Sequence, residues 1–225
     1  ILYIASFLNI MIRNYSPVII SASRATDIPA FYGDLFVQCL QKGFFMKRNP
    51  YNGDIYKINT DKTRAIVFWT KDAAPFLKHL DSIKKVIPNF YFQYTLNRYN
   101  INIEQRIPNY ENRINTFIKL SEITSKEKVI WRFDPLLLTK HITVERLLRE
   151  ISDTAEILKH HTNKMVFSFI DIKKYRKVKN KTAKVRGEIR EFSKAEKLEF
   201  AKGLKDITRK TQIKTATCAE DIDLS

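Results

Sequence analysis

Short apolar runs alternate along the chain with longer stretches whose apolar residues recur every three or four positions. The short runs are rich in β-branched and aromatic residues and read as strands over 18–23, 64–70, 89–96, 128–133, 164–170 and 212–218. Helices are read between them. Asp27 is placed to cap the first, with Pro29 in its first turn, Gly43 at its end, and Leu35, Phe36, Cys39 and Leu40 on one face. Asp72 opens a second, which carries Phe76, Leu77, Leu80, Ile83 and Ile87 and stops at Pro88. Ile114, Phe117 and Ile118 mark a third, and Thr143 caps a fourth along Leu147, Leu148, Ile151, Ala155 and Leu158. Ser193 and Glu196 form a capping box ahead of Leu198, Ala201 and Leu204. One stretch breaks the alternation: "GFFMKRNPYNGDIYKI" reads as a hairpin, two strand-like arms around Asn49-Pro50 and Asn52-Gly53.

Strands that alternate with helices pair in parallel through right-handed crossovers. The pattern predicts an α/β fold, a TIM-barrel-like (β/α)6 parallel barrel or partial barrel with a β-hairpin insertion after the first helix. A doubly wound sheet is the other arrangement the alternation allows. No Gly/Ser linker divides the sequence, so 11–225 reads as a single domain, truncation at its C-terminus being left open. The opening "ILYIASFLNIMI" is apolar but about half as long as a bilayer span, and it lacks the basic start of a secretory signal. Residues 1–10 therefore read as a non-native leader ahead of a start at Met11, or as an edge segment.

In parallel α/β folds, sites gather at the C-terminal ends of the strands. Each strand-like run here ends in polar residues: Ser23, Arg24 and Asp27; Trp69, Thr70 and Lys71; Gln93, Thr95 and Asn97; Trp131, Arg132 and Asp134; Ser168, Asp171 and Lys173; Thr217, Cys218 and Glu220. Charges at the end of an apolar strand are partly desolvated, which costs free energy unless they are paired or bound. The expectation is a shared rim that binds a small anionic or nucleotide-like ligand. Arg24 and Arg132 look inward to hold the anion, with Ser23, Gln93, Thr95, Asn97 and Ser168 around it. Asp27 and Asp134 are the candidate orienting or proton-handling groups, and Lys71 is a second cation. Structural roles stand beside each of these. Asp27 and Asp72 suit helix caps, Arg132 with Asp134 suits an internal ion pair, and Trp69 and Trp131 suit the core or a stack on a ring.

Charge changes the picture in one respect. A formal net charge of +16 attracts phosphates and nucleic acid, although an AT-rich genome that uses many lysines yields the same number. The densest basic segment, 173–190, holds nine Lys or Arg and suits either a solvated loop or a track for a nucleic-acid backbone, with Tyr175 placed to stack on a base. Two cysteines, Cys39 and Cys218, make no disulfide framework and fit a reducing cytoplasm. His79, His141, His160 and His161 lack metal-ligand spacing, and there is no phosphate-binding Gly-rich loop, nucleophile-elbow serine or Cys-x-x-Cys pair.

Taken together, "ISASRATDIPAFY", "RNPYN", "VFWTKDAAP", "YFQYTLNRY", "VIWRFDPLLL", "SFIDIKKYRKV" and "TCAEDIDL" resemble a bacterial and archaeal domain of unknown function. That family carries a radical-SAM-like cysteine cluster near its C-terminus. The resemblance implies a TIM-barrel-like core and, through the cluster, an iron–sulfur enzyme using S-adenosylmethionine. The cluster segment would follow the "TCAEDIDL" motif. With Cys39 and Cys218 as its only thiols, the given sequence cannot itself hold a 4Fe-4S cluster, so it is either truncated or a member without one. Two functional classes remain: a radical-SAM-like enzyme core with a ligand at the strand ends, and a non-catalytic basic nucleic-acid-binding protein.

Overall fold

All six strand-like runs form strands of one parallel sheet, within a few residues of the expected bounds. The computed structural model describes residues 12–23, 26–172 and 189–218. Its elements begin with β1 (Ile12–Tyr15), β2 (Ile19–Ala22), α1 (Ile28–Phe31), α2 (Gly33–Gln41), β3 (Phe44–Arg48), β4 (Ile55–Asn59) and β5 (Ala65–Thr70). A 3-10 segment (Ala74–His79) then leads to α3 (Leu80–Val86), β6 (Phe90–Thr95), α4 (Tyr110–Thr124), β7 (Val129–Leu136), α5 (Val144–Leu158), β8 (Lys164–Phe169), α6 (Lys194–Thr211) and β9 (Lys214–Thr217).

The main sheet has six strands in chain order, β2-β5-β6-β7-β8-β9, every pair parallel. A doubly wound sheet reverses its order at a switch point; this one does not. Nor does it close. β2 and β9 are the outer strands and do not pair with each other among the described residues, so no barrel is formed. Alternating strands and helices give the same sequence pattern whether the last strand returns to the first or not, because closure depends on strand tilt and stagger.

The expected hairpin is present as β3 and β4, with Asn49 accepting from Gly53 across the turn. β1 adds to β4 in parallel, which makes a separate three-stranded sheet in the order β1-β4-β3. The first helix is split into α1 and α2 at Tyr32. At Gly33 a Cβ would lie 2.7 Å from the His79 ring, so only a glycine lets α2 start this close to the 3-10 segment. Gly43 ends the turn after α2 with φ of +80°, as a C-terminal glycine does. Thr143 and Ser193 cap α5 and α6 through their hydroxyls, the latter as a full capping box.

Cross-strand partners share a face, which sorts the sheet into two. On one face lie Ala22, Phe68, Phe92, Tyr94, Trp131, Phe133, Met165 and Phe167. The helices pack there: Phe36 of α2 on Phe68, Phe117 of α4 on Tyr94, Ile151 and Ala155 of α5 beside Trp131, and Phe200 of α6 on Phe167. This aromatic-rich layer is the core, each buried large side chain contributing about 1.5–3 kcal/mol. The opposite face carries Ser21, Trp69, Gln93, Arg132 and Ser168. No helix among the described residues is long and apolar enough to cross a membrane.

Candidate functional site

The polar face is most developed where β5, β6, β7 and β8 end. Register sets Trp69 opposite Gln93 and Thr95 opposite Arg132. The Arg132 guanidinium lies over the Trp69 ring, 4.4 Å from its centroid. Arg132 is 4% exposed, and its charge is met by the Asp134 carboxylate, to which Nη2 donates. Nη1 donates to Gln93 Oε1 at 3.4 Å, and the Ser168 hydroxyl donates to the other Asp134 oxygen. Residues from four adjacent strands therefore meet around one ion pair. Two donors in this group remain without an acceptor: Arg132 Nε and Trp69 Nε1, both buried. Buried N–H groups are normally satisfied, and in the layer behind, Arg113 Nε and Nη1 and Glu104 Oε2 are likewise without a hydrogen-bond partner.

A second layer holds the first in place. Asn97, fully buried after β6, clasps the backbone of Asp134 from both sides: its amide donates to the Asp134 carbonyl at 3.1 Å and its oxygen accepts from the Asp134 N–H at 3.1 Å. The clasp falls where the pairing of β7 with β8 shifts register, between Phe133 and Leu136, a local irregularity of the kind that re-aims a side chain. The Asn97 amide also donates to Glu104, and so does the Lys71 ammonium. Arg113 of α4, 2% exposed, donates to the Asn97 carbonyl at 2.8 Å and sits 3.8 Å from the Glu104 carboxylate. Tyr99 closes the layer, donating to the Pro135 carbonyl at 2.9 Å and accepting from Leu137 N–H at 3.2 Å. Burial drives its phenol well above the ordinary range, and the Leu137 bond opposes this only in part.

Asp27 stands at the β2 side of this assembly. One carboxylate oxygen accepts from the Ala30 N–H at 3.1 Å and caps α1, while the other accepts from the Lys71 N–H at 2.8 Å and ties α1 to the end of β5. Burial pushes its pKa above the ordinary value of 3.8, outweighing the Lys71, Thr70 and Ala30 hydrogen bonds, and the charge of Asp72 adds to the upward shift. Ser23 takes a positive φ of 75°, a conformation in which L-residues are strained, and its hydroxyl accepts from Ile28 N–H at 3.2 Å. Asp72 accepts from Ala74 N–H at the start of the 3-10 segment.

The sequence-derived candidates thus fall into groups. Gln93, Arg132, Asp134 and Ser168 form the polar cluster, Thr95 lies buried beside it in register, and Asn97 and Lys71 are built into its supporting layer. Asp27 touches the assembly through the Lys71 backbone, and Ser23 immediately follows the outer strand β2. Arg24, Glu220, the leader 1–10 and most of the basic segment 173–190 lie outside the described residues. Trp69, a candidate for the core or for stacking on a ring, has a guanidinium as its partner. Glu104, Arg113 and Tyr99 had no signal in the sequence beyond lying in and after a long polar stretch behind β6.

The chain matches the family model described as "Domain of unknown function (DUF1848)" over residues 19–225. It belongs to that family. No curated protein and no solved structure matches the chain. The family match begins at Ile19, the first residue of β2, so it takes in the whole six-stranded sheet, the hairpin and the cluster, and leaves β1 outside. A four-iron cluster of the radical-SAM kind does not fit the residues of this chain. Such a cluster takes several thiolates. The two cysteines are Cys39 on α2 and Cys218 beyond the opposite outer strand β9, and no group of three or more His, Cys, Asp or Glu among the described residues is placed to hold a metal ion.

Proposed function

We propose that the polar cluster at the strand ends binds a small anionic or nucleotide-like ligand, and that this DUF1848 domain is the core of an enzyme. The two buried donors without acceptors, Arg132 Nε and Trp69 Nε1, carry the reading. A carboxylate or phosphate oxygen supplies what both lack, and the indole and guanidinium planes offer a stacking surface for a flat ring. S-adenosylmethionine, with its carboxylate and adenine, has both features and is the first ligand to test. In this reading Arg132 and Trp69 hold the ligand, Asp134 and Ser168 orient it, and Glu104 and Asn97 position Lys71 and Asp134.

Trp69 makes the test direct. The chain has two tryptophans, and Trp131 is fully buried on the helix side of the sheet. Ligand arriving at the cluster should change the emission of Trp69, and the change should vanish in Trp69→Phe. Charge-assisted hydrogen bonds contribute about 1.5–3 kcal/mol, so Arg132→Ala should raise Kd by roughly 10- to 100-fold. An unchanged Kd for S-adenosylmethionine, ATP or phosphate in Arg132→Ala, or no binding of any of them to the native protein, would overturn the proposal. Nucleic acid is the second reading, favoured by the net charge of +16.

A further inference from the structure

A groove of about 360 Å³ runs along the outer edge of the sheet, and no residue of the Arg132 cluster lines it. Its walls come from β2, α2 and the β3–β4 hairpin, with Ile20, Phe36, Phe45 and Ile58 at its apolar surface. Three of its lining residues leave large apolar surface in water: Tyr32 at 48%, Leu35 at 56% and Met46 at 51%. Neighbouring Ile19 and Phe31 are exposed as well. A cluster of this kind, set around a concavity, marks a binding site more often than an isolated exposed leucine does.

The charge of the groove selects its occupant. Among the described residues Lys47 is the one charged residue in the lining and no carboxylate accompanies it, while Arg48 and Lys57 lie by register on the other face of the hairpin. Ser21 and Thr26 add hydroxyls to the wall. The surface as a whole is a hydrocarbon trough with a cationic end. We propose that it binds a small anionic amphiphile, an alkyl chain ending in a carboxylate or phosphate, with the chain along Phe36, Phe45 and Ile58 and the head at Lys47. None of Trp69, Gln93, Arg132, Asp134 and Ser168 lines the groove, so the proposal does not depend on what that cluster binds.

Cys39 also lines the groove, which gives a local reporter. With Cys218→Ser removing the second thiol, alkylation of Cys39 by iodoacetamide is timed with and without decanoate or decyl phosphate below their micelle concentrations. Occupancy should slow the alkylation. Affinity by calorimetry should rise about fourfold per added methylene until the chain outgrows the groove. Leu35→Asp, at an exposed position, should abolish binding, and Lys47→Glu should weaken both anions at least tenfold while sparing decanol. Three results would overturn the proposal: no protection of Cys39 by either amphiphile, binding indifferent to Leu35→Asp, or protection by phospholipid vesicles but not by free amphiphile. The last outcome would assign the groove to a membrane surface instead.

Discussion

Asp27 shows how one side chain can serve structure and still carry a titration. Both its oxygens are taken by backbone N–H groups, yet burial leaves its pKa above 3.8. The folded state therefore binds this proton more tightly than the unfolded chain. Its contribution to stability is fully present below the ordinary value and is lost as pH rises through the raised one. Asp27→Asn has no such titration. Urea midpoints measured from acid to neutral pH should show the variant gaining on the native protein as pH rises. A difference that stays constant, or a variant that loses ground to the native protein as pH rises, would mean that Asp27 is not desolvated. The sequence identified Asp27 through its capping position before Pro29 but gave no sign of the Lys71 bond, which joins residues 44 apart. Ser168, Gln93 and Arg132 were likewise legible as residues at strand ends. Glu104 was not, because nothing local distinguishes a glutamate that folds back onto a lysine just past β5.

At the scale of elements, Asn97 joins the end of β6 to β7 more firmly than the ladder alone. Its side chain takes both backbone groups of Asp134, its amide also reaches Glu104, and its carbonyl receives Arg113. Asn97→Ala strands buried groups that cost about 1–3 kcal/mol each. The expected loss in denaturant stability is about 2–4 kcal/mol, with ligand affinity at Arg132 falling as Asp134 loses its aim. A variant of native stability would show that the clasp is dispensable. Strand positions were legible because six apolar runs of similar length cannot hide among amphipathic helices. The break between α1 and α2 was not, since it depends on the approach of His79 to Gly33. The pairing of β1 with β4 was also hidden, because it joins segments some forty residues apart with no turn between them.

For the molecule as a whole, the two binding readings separate by salt. A charge of +16 is expected to attract oligonucleotides whatever the function, and binding of that kind weakens steeply as counterions compete. We expect affinity for a short single strand to fall at least about tenfold between about 50 and about 200 mM salt, and to be unaffected by Arg132→Ala. A fall of this kind that disappears on neutralising Lys173 to Lys184 would make nucleic acid the better reading. Strand order also belongs to this scale. The alternation of strand and helix announced a parallel sheet, but tilt and stagger, which decide closure, leave no mark on composition or period.

The two faces of β7 are one residue apart. Trp131 and Phe133 point into the helices while Arg132, between them, belongs to the polar cluster. A single inserted or deleted amino acid upstream in that strand would exchange the two sets, driving a guanidinium among phenylalanines and turning an indole outward. Descendants of this chain can therefore diversify their chemistry by point replacement along β7, but changes of length must be confined to the loops, where 97–109 already supplies Glu104 from beyond the sheet.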